Sequence, residues 1–146
     1  LQRLKEQAQA LGIGGAVDFC GRVDNAGMPA LYGRADCVLN ASSVDNMPIS
    51  LLEALASGVP VVSTAAGGIP DMVQDGVHAL LVPVGDHEAL AGQAERALAD
   101  RTLAEALVRA GAAEAERYAW PRVRAQWLAA YRRAAAHAQA QVEGAR

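Results

Sequence analysis

Along this chain the apolar positions switch repeatedly between a helical period and short continuous runs, and that alternation predicts the architecture. Leu1, Leu4, Ala8 and Leu11 recur at helical spacing and Gly12 follows as a stop, so the chain opens in a helix. Ala16 to Cys20 reads as a short apolar strand ended by Gly21, Met28 to Ala35 as a second helix, and Cys37 to Asn40 as a second strand. A third helix, Pro48 to Ser57, is stopped by Gly58. Val59 to Ser63 follows, β-branched and apolar on both faces like strands buried in parallel sheets. Beyond the Gly67-Gly68 loop, Pro70 to Gln74 reads as a short helix running into an Asp75-Gly76 turn, and Ala79 to Val82 as a fourth strand. From Asp86 onward the pattern is helical. Asp86 caps one helix, Ala-rich repeats continue to Tyr118, and Pro121 opens a last helix in its first turn. The Ala/Gln-rich segment after Ala134 reads as a tail that frays.

Strands alternating with helices at this spacing imply βαβ units, hence an α/β fold with a parallel sheet of about four strands, flanking helices and a helical C-terminal third. The 146 residues form about one domain, with 121–146 as C-terminal helix and tail. A chain of this length buries roughly two-thirds of the surface it exposes when unfolded, enough to fold without a staple. The net charge of -3, with acids and bases interspersed, gives no basic stripe for a nucleic-acid backbone. An aromatic content of 4% leaves little for base stacking, so nucleic acid is not an expected partner. Cys20 and Cys37 are too few for a disulfide framework and read as small core hydrophobes, which makes a reducing, cytoplasmic compartment the expectation. No apolar run reaches the roughly 18 residues that a membrane span needs.

In open parallel sheets ligands bind beyond the carboxyl ends of the strands, which selects four loops: Gly21 to Gly27, Ala41 to Met47, Thr64 to Ile69, and Pro83 to Asp86. Pro48 at the first helical position leaves the amides of Ile49, Ser50 and Leu51 without intrahelical partners, so this helix start offers donors and a partial positive charge to an anionic or hydroxyl-rich ligand. Asp45 precedes the helix, and Glu53 lies eight positions on. Ser50, Glu53 and Ser57 form one polar stripe on an otherwise apolar element. Spacing alone leaves two readings open, a stripe facing water or one lining a cleft. Gly67 and Gly68 permit close backbone approach to a ligand, but a Gly-Gly pair is more often a tight turn than a phosphate cradle. His78, His87 and His137 are scattered rather than set at metal-ligand spacing. Trp120, Trp127 and Tyr131 sit at helical spacing and read as anchors of the final helix, and Arg132 and Arg133 as solvated charges.

Taken in order, the run from Asp45 through Pro48 and Glu53 to Gly58-Val-Pro-Val-Val-Ser-Thr64, then Gly67-Gly-Ile-Pro-Asp71, Asp75-Gly76 and Leu80-Leu-Val-Pro-Val-Gly-Asp86, resembles the C-terminal donor domain of the group 1 (family 4) retaining glycosyltransferases. Val17-Asp-Phe-Cys-Gly21, Leu31-Tyr-Gly-Arg-Ala-Asp36 and Tyr118-Ala-Trp120 add to the resemblance, which spans nearly the whole chain. It implies a two-lobed enzyme of GT-B architecture, in which a Rossmann-like C-terminal lobe holds a nucleotide-diphosphate-sugar and the other lobe holds the acceptor. It also implies metal-independent transfer, with no cofactor beyond the donor substrate. The family's paired acids fall on Asp45 and Glu53. Glu53 would accept hydrogen bonds from the ribose hydroxyls, and Asp45 would hold hydroxyls of the transferred sugar, aided by the backbone from Asn46 and Met47 through Pro48 to Ile49. The loop at Arg22 and Val23 would border the base, and Gly67 and Gly68 would shape the cleft wall.

The sequence also departs from the family pattern. Asp45 stands where Glu is usual, shortening the reach by one methylene, about 1.5 Å. Asn46-Met47 replaces Gly-Phe, and Ala41 replaces Pro before Ser42. The Arg and Lys that clamp the diphosphate in the family belong to a strand-loop-helix unit that would precede Leu1, as would the acceptor lobe. The chain thus reads as an N-terminally truncated fragment that supplies amides but no cationic clamp, and that is inactive alone. Without those strands, Val17 to Phe19 and Cys37 to Leu39 are expected to pair directly, or to pair between chains as a homodimer through exposed edges. Three readings follow: the donor-binding part of a glycosyltransferase of polysaccharide or glycolipid assembly, peripheral to the membrane in the full-length protein; a non-catalytic nucleotide-binding module; or an oligomerisation domain that keeps the fold.

Overall fold

The computed structural model describes residues 1–144 and divides into two units, Leu1–Leu31 and Tyr32–Arg146. In the first, helix α1 (Gln2–Ala10) leads through a 3₁₀ turn, Gly14–Ala16, into extended chain. Of the apolar positions spaced along α1, Ala8 is buried, whereas Leu1, Leu4 and Leu11 are exposed. Helix α2 (Met28–Tyr32) ends where the second unit begins.

The second unit is built on a parallel sheet of three strands, β1 (Val38–Asn40), β2 (Val61–Thr64) and β3 (Leu80–Val82), in the order β1-β2-β3. Val38 pairs with Val61, and Val62 with Leu80. The α/β class, the parallel sheet and the helical C-terminal part are as the pattern predicts. The strand expected over Ala16 to Cys20 is not formed among the described residues, so the sheet has three strands rather than about four. Val17 has strand-like dihedrals but joins no ladder, and a strand is defined by its partner's hydrogen bonds rather than by its own sequence. The edge residue Leu39 is half exposed.

Central strand β2 is buried at every position, as its two-sided apolar sequence predicts. Helix α3 (Ile49–Ala56) buries Leu51, Ala54 and Leu55 and ends at Gly58, whose φ of 72° is the left-handed conformation that a side chain resists. Pro48 is the N-cap of α3, with ψ of 115°, rather than its first helical residue. After α4 (Ile69–Met72), the Asp75-Gly76 turn is closed by a bridge from Asp75 to Ala79.

The helical third divides where the Ala-rich pattern shows no break. Helix α5 (His87–Ala99) is capped by Asp86, whose carboxylate accepts from Ala89 N at 2.9 Å, and α6 (Arg101–Glu116) is capped by Asp100 in the same way through Leu103 N at 3.0 Å. Helical apolar period carries on across both, and Asp100 alone, extended at ψ of 92°, separates them. Val62, Leu80, Ala97 and Leu107 form a shared core, with Cys37, Leu90 and Leu103 against it. Gly111 lets α6 approach α3: a Cβ there would lie 2.6 Å from Leu55 Cδ2 and 3.2 Å from the His78 carbonyl oxygen.

Helix α7 (Trp120–Gly144) is long, but no helix among the described residues is long and apolar enough to cross a membrane. Trp120, Trp127 and Tyr131 are more than half exposed, so they do not anchor α7 in this chain; Trp127 and Tyr131 lie against each other with their rings tilted by 33° and centroids 5.8 Å apart. The expected frayed tail falls partly on residues 145–146, which lie outside the described residues.

Candidate functional site

The carboxyl ends of β1, β2 and β3 release three of the four loops selected from the sequence, Ala41 to Met47, Thr64 to Ile69 (65–68 once the ends of β2 and α4 are taken off) and Pro83 to Asp86. Parallel pairing puts them on one edge of the sheet. A chain of side-chain hydrogen bonds fixes the first of these loops. Asn40 Nδ2 donates to Ser63 Oγ at 3.0 Å, and Ser63, fully buried, donates to the Thr64 carbonyl at 2.9 Å. Thr64 Oγ1 donates to the Ser42 carbonyl at 2.6 Å, and Ser42 Oγ reaches Asn40 Oδ1 at 2.9 Å with Asp45 Oδ2 farther off at 3.4 Å. Polar residues at the ends of two apolar strands are the sequence signal for this network, since a buried hydroxyl or amide must find a partner.

The 65–68 loop closes on the 41–47 loop from the other side. Gly68 N donates to the Asp45 carbonyl at 3.0 Å. A Cβ at Gly67 would run into the Asp45 carbonyl oxygen, and one at Gly68 into that of Asn46. Gly67 has φ of 51° as well, so both sterics and backbone demand glycine there. The two glycines act by letting backbone meet backbone and thereby set the path of Asp45 and Asn46.

The Asp45 backbone is thus held, while the carboxylate of this half-buried residue accepts a long 3.4 Å hydrogen bond from Ser42 Oγ. Asn46, Met47 and Ile49 are exposed and Pro48 is buried. No side chain caps α3. Leu51 N turns back to the Pro48 carbonyl at 3.1 Å, so of the three amides expected to be free, those of Ile49 and Ser50 remain as the outward donors.

Glu53 lies one turn further along α3. Its half-buried carboxylate accepts at Oε2 from Tyr32 Oη at 3.1 Å, and the same hydroxyl lies 3.3 Å from the Ser50 carbonyl. Burial first, then the hydrogen bond and negative charge of Glu53, push the Tyr32 phenol up to about 12, so it stays a proton donor throughout the neutral range. Ser50 and Ser57 are exposed, whereas Glu53 alone of the polar stripe is partly enclosed. Glu53 also lines a groove of about 470 Å³, together with Leu52 and Ala56 of α3, Ala112, Ala115 and Glu116 of α6, Tyr118 and Ala119. The two carboxylates make that groove a poor seat for phosphate, which suits the α3 start better.

Asp45, Asn46, Met47, Pro48, Ile49, Glu53, Gly67 and Gly68 therefore belong to one unit and two adjoining loops with their helix start. Arg22, exposed, and Val23, half-buried, lie on the first unit. Among the described residues no group of three or more His, Cys, Asp or Glu gathers as a metal site.

Comparison with known proteins decides the family. The family model described as "Glycosyl transferases group 1" matches residues 1–114. The chain belongs to the group 1 glycosyl transferases. It is 36% identical over 127 residues to the phosphatidyl-myo-inositol mannosyltransferase of Mycobacterium leprae, covering 86% of this chain and 34% of that protein. It is 33% identical over 129 residues to the D-inositol 3-phosphate glycosyltransferase of Corynebacterium urealyticum, covering 88% and 30% respectively. The chain thus spans about a third of the length of these curated group 1 relatives. Among solved structures, sucrose-phosphate synthase from Thermosynechococcus elongatus superposes with a TM-score of 0.87 at 29% identity, over 93% of this chain and 34% of that one. Anabaena HepE, solved with UDP-glucose, gives a TM-score of 0.75 at 26% identity over 80% and 32%. These neighbours share the chain's α/β fold, a small parallel sheet flanked by helices as in GT-B glycosyltransferases.

Proposed function

We propose that this chain is the nucleotide-sugar-binding part of a retaining glycosyltransferase, with the acceptor held by a separate lobe. The observation that carries this reading is the Glu53 carboxylate, half-enclosed and oriented by Tyr32 one turn inside the uncapped start of α3. Phosphate oxygens suit the Ile49 and Ser50 amides and the positive end of the helix dipole, while the ribose diol suits the lone pairs of Glu53. The clamped backbone and loosely engaged carboxylate of Asp45 support its accepting hydrogen bonds from hydroxyls of the sugar. Asn46 and Met47 border that sugar. The relative solved with UDP-glucose supports a nucleoside diphosphate sugar as the donor class. Transfer breaks the bond from the anomeric carbon to the phosphate oxygen and forms one to an acceptor oxygen on the same face, with the departing phosphate taking the acceptor proton. Developing charge on that phosphate is met by the α3 amides. The reaction is assigned to the cytoplasm, and the chain alone binds donor without turning it over.

Ligand-dependent stability tests the assignment. A nucleoside diphosphate at a hundred times its Kd raises stability by about 2.7 kcal/mol and the Tm with it. UDP, GDP and ADP, each with a sugar conjugate, are compared. A shift for one base and its conjugate supports donor binding. Absence of any shift leaves a domain that keeps only the fold, and sugar transfer or donor hydrolysis by this chain contradicts its assignment as inactive alone. Self-association through the β1 edge is read separately: light scattering showing a monodisperse monomer at high concentration rejects it.

A further inference from the structure

The geometry points to Tyr32 as a positioning residue for ribose recognition: its hydroxyl holds the Glu53 carboxylate in one orientation and so sets the nucleotide's 2′-hydroxyl discrimination. The inference rests on the reading of Glu53 as the ribose ligand.

Tyr32 is 7% exposed, so its ring is fixed by packing and cannot itself be the ligand's principal contact. Its hydroxyl emerges beside α3 and reaches two acceptors, the Ser50 carbonyl at 3.3 Å and Glu53 Oε2 at 3.1 Å. A phenol has one hydrogen, and the charged, nearer carboxylate is the stronger acceptor. Bound in that way, Glu53 keeps Oε1 and the remaining lone pair of Oε2 for a ligand. A vicinal diol needs two acceptors in a fixed relation, and a carboxylate free to rotate loses part of that preference each time it is ordered. The phenol's elevated pKa keeps the proton in place across the working range of pH. A phenylalanine fills the same space without the hydrogen, so the chemistry, rather than the packing, is what the tyrosine adds.

The test measures Kd for whichever of UDP, GDP and ADP binds best, and for its 2′-deoxy counterpart, on the wild-type chain, Tyr32→Phe, Glu53→Ala and the double variant. Tyr32→Phe is expected to weaken the ribonucleotide about fivefold and the deoxynucleotide less than twofold, with Tm as a check on folding. The double variant is expected to lose no more than Glu53→Ala, because the two groups act through one contact. An unchanged ribo-to-deoxy ratio in Tyr32→Phe, with the ratio collapsed in Glu53→Ala, overturns the role of Tyr32 and leaves the ribose reading standing. An unchanged ratio in Glu53→Ala, or no binding by the wild type, overturns the ribose reading and this inference together. If Tyr32→Phe does not fold, tyrosinate absorbance of the wild-type chain replaces it. Ribonucleotide binding is expected to move the late-titrating tyrosine and the deoxynucleotide to leave it in place; equal responses reject the inference.

Discussion

Asp45 and Glu53 differ most in how each carboxylate is held. Glu53 receives a phenolic hydrogen at 3.1 Å, whereas Asp45 has a 3.4 Å contact to Ser42 and a main chain pinned by Gly68. Substituting Asp45→Ala should therefore leave the affinity for the bare nucleoside diphosphate within about twofold and weaken the sugar conjugate about fivefold, measured by paired titrations. Equal losses for both ligands would refute the assignment of Asp45 to the sugar. Tyr32 makes a separate prediction for pH. Its phenol has a folded-state pKa of about 12 against 10 unfolded, so the stabilisation is complete below pH 10 and disappears as pH rises toward 12. Of the three tyrosines, one should titrate last in absorbance, and Tyr32→Phe should remove that late step and flatten the alkaline fall in stability.

At the scale of elements, close approach is where single atoms matter. Gly111→Ala sets a methyl against Leu55 Cδ2 and the His78 carbonyl, and should destabilise the α3-α6 contact by about 1–3 kcal/mol in denaturant unfolding. Gly67→Ala meets the Asp45 carbonyl from a positive φ and should weaken donor binding together with stability. Asp100→Ala removes the cap between α5 and α6 and should cost about 1 kcal/mol. These elements were unequally legible. β2 was visible because burial on both faces forces every position apolar, and α3 because Pro48 and Gly58 mark its ends. Ala16 to Cys20 looked like a strand because it carries the same composition, but composition does not say whether a partner is hydrogen-bonded beside it. Asp100 was hidden by an alanine-rich helical pattern that runs through it. Within the proposed site, Asp45 and Glu53 stand out through their resemblance to the family's paired acids, which spacing alone leaves open, whereas the Tyr32 contact joins positions 21 apart and follows only from packing.

Across the whole molecule, the second unit carries a three-stranded sheet whose carboxyl edge gathers the loops, and a helical third that packs behind α3 through Gly111. A sheet edge that ties the 41–47 loop down through Thr64, and a helix start left without a side-chain cap, meet on one edge of a protein with net charge -3, the edge proposed to accept the anionic donor. The central claim is that this edge binds a nucleoside diphosphate and that Glu53 is its ribose ligand. Isothermal titration of UDP, GDP and ADP into the chain and into Glu53→Ala tests it most directly. Saturable binding of one nucleotide, weakened at least tenfold by Glu53→Ala with the Tm retained, is the predicted result; binding that survives the substitution unchanged would contradict it.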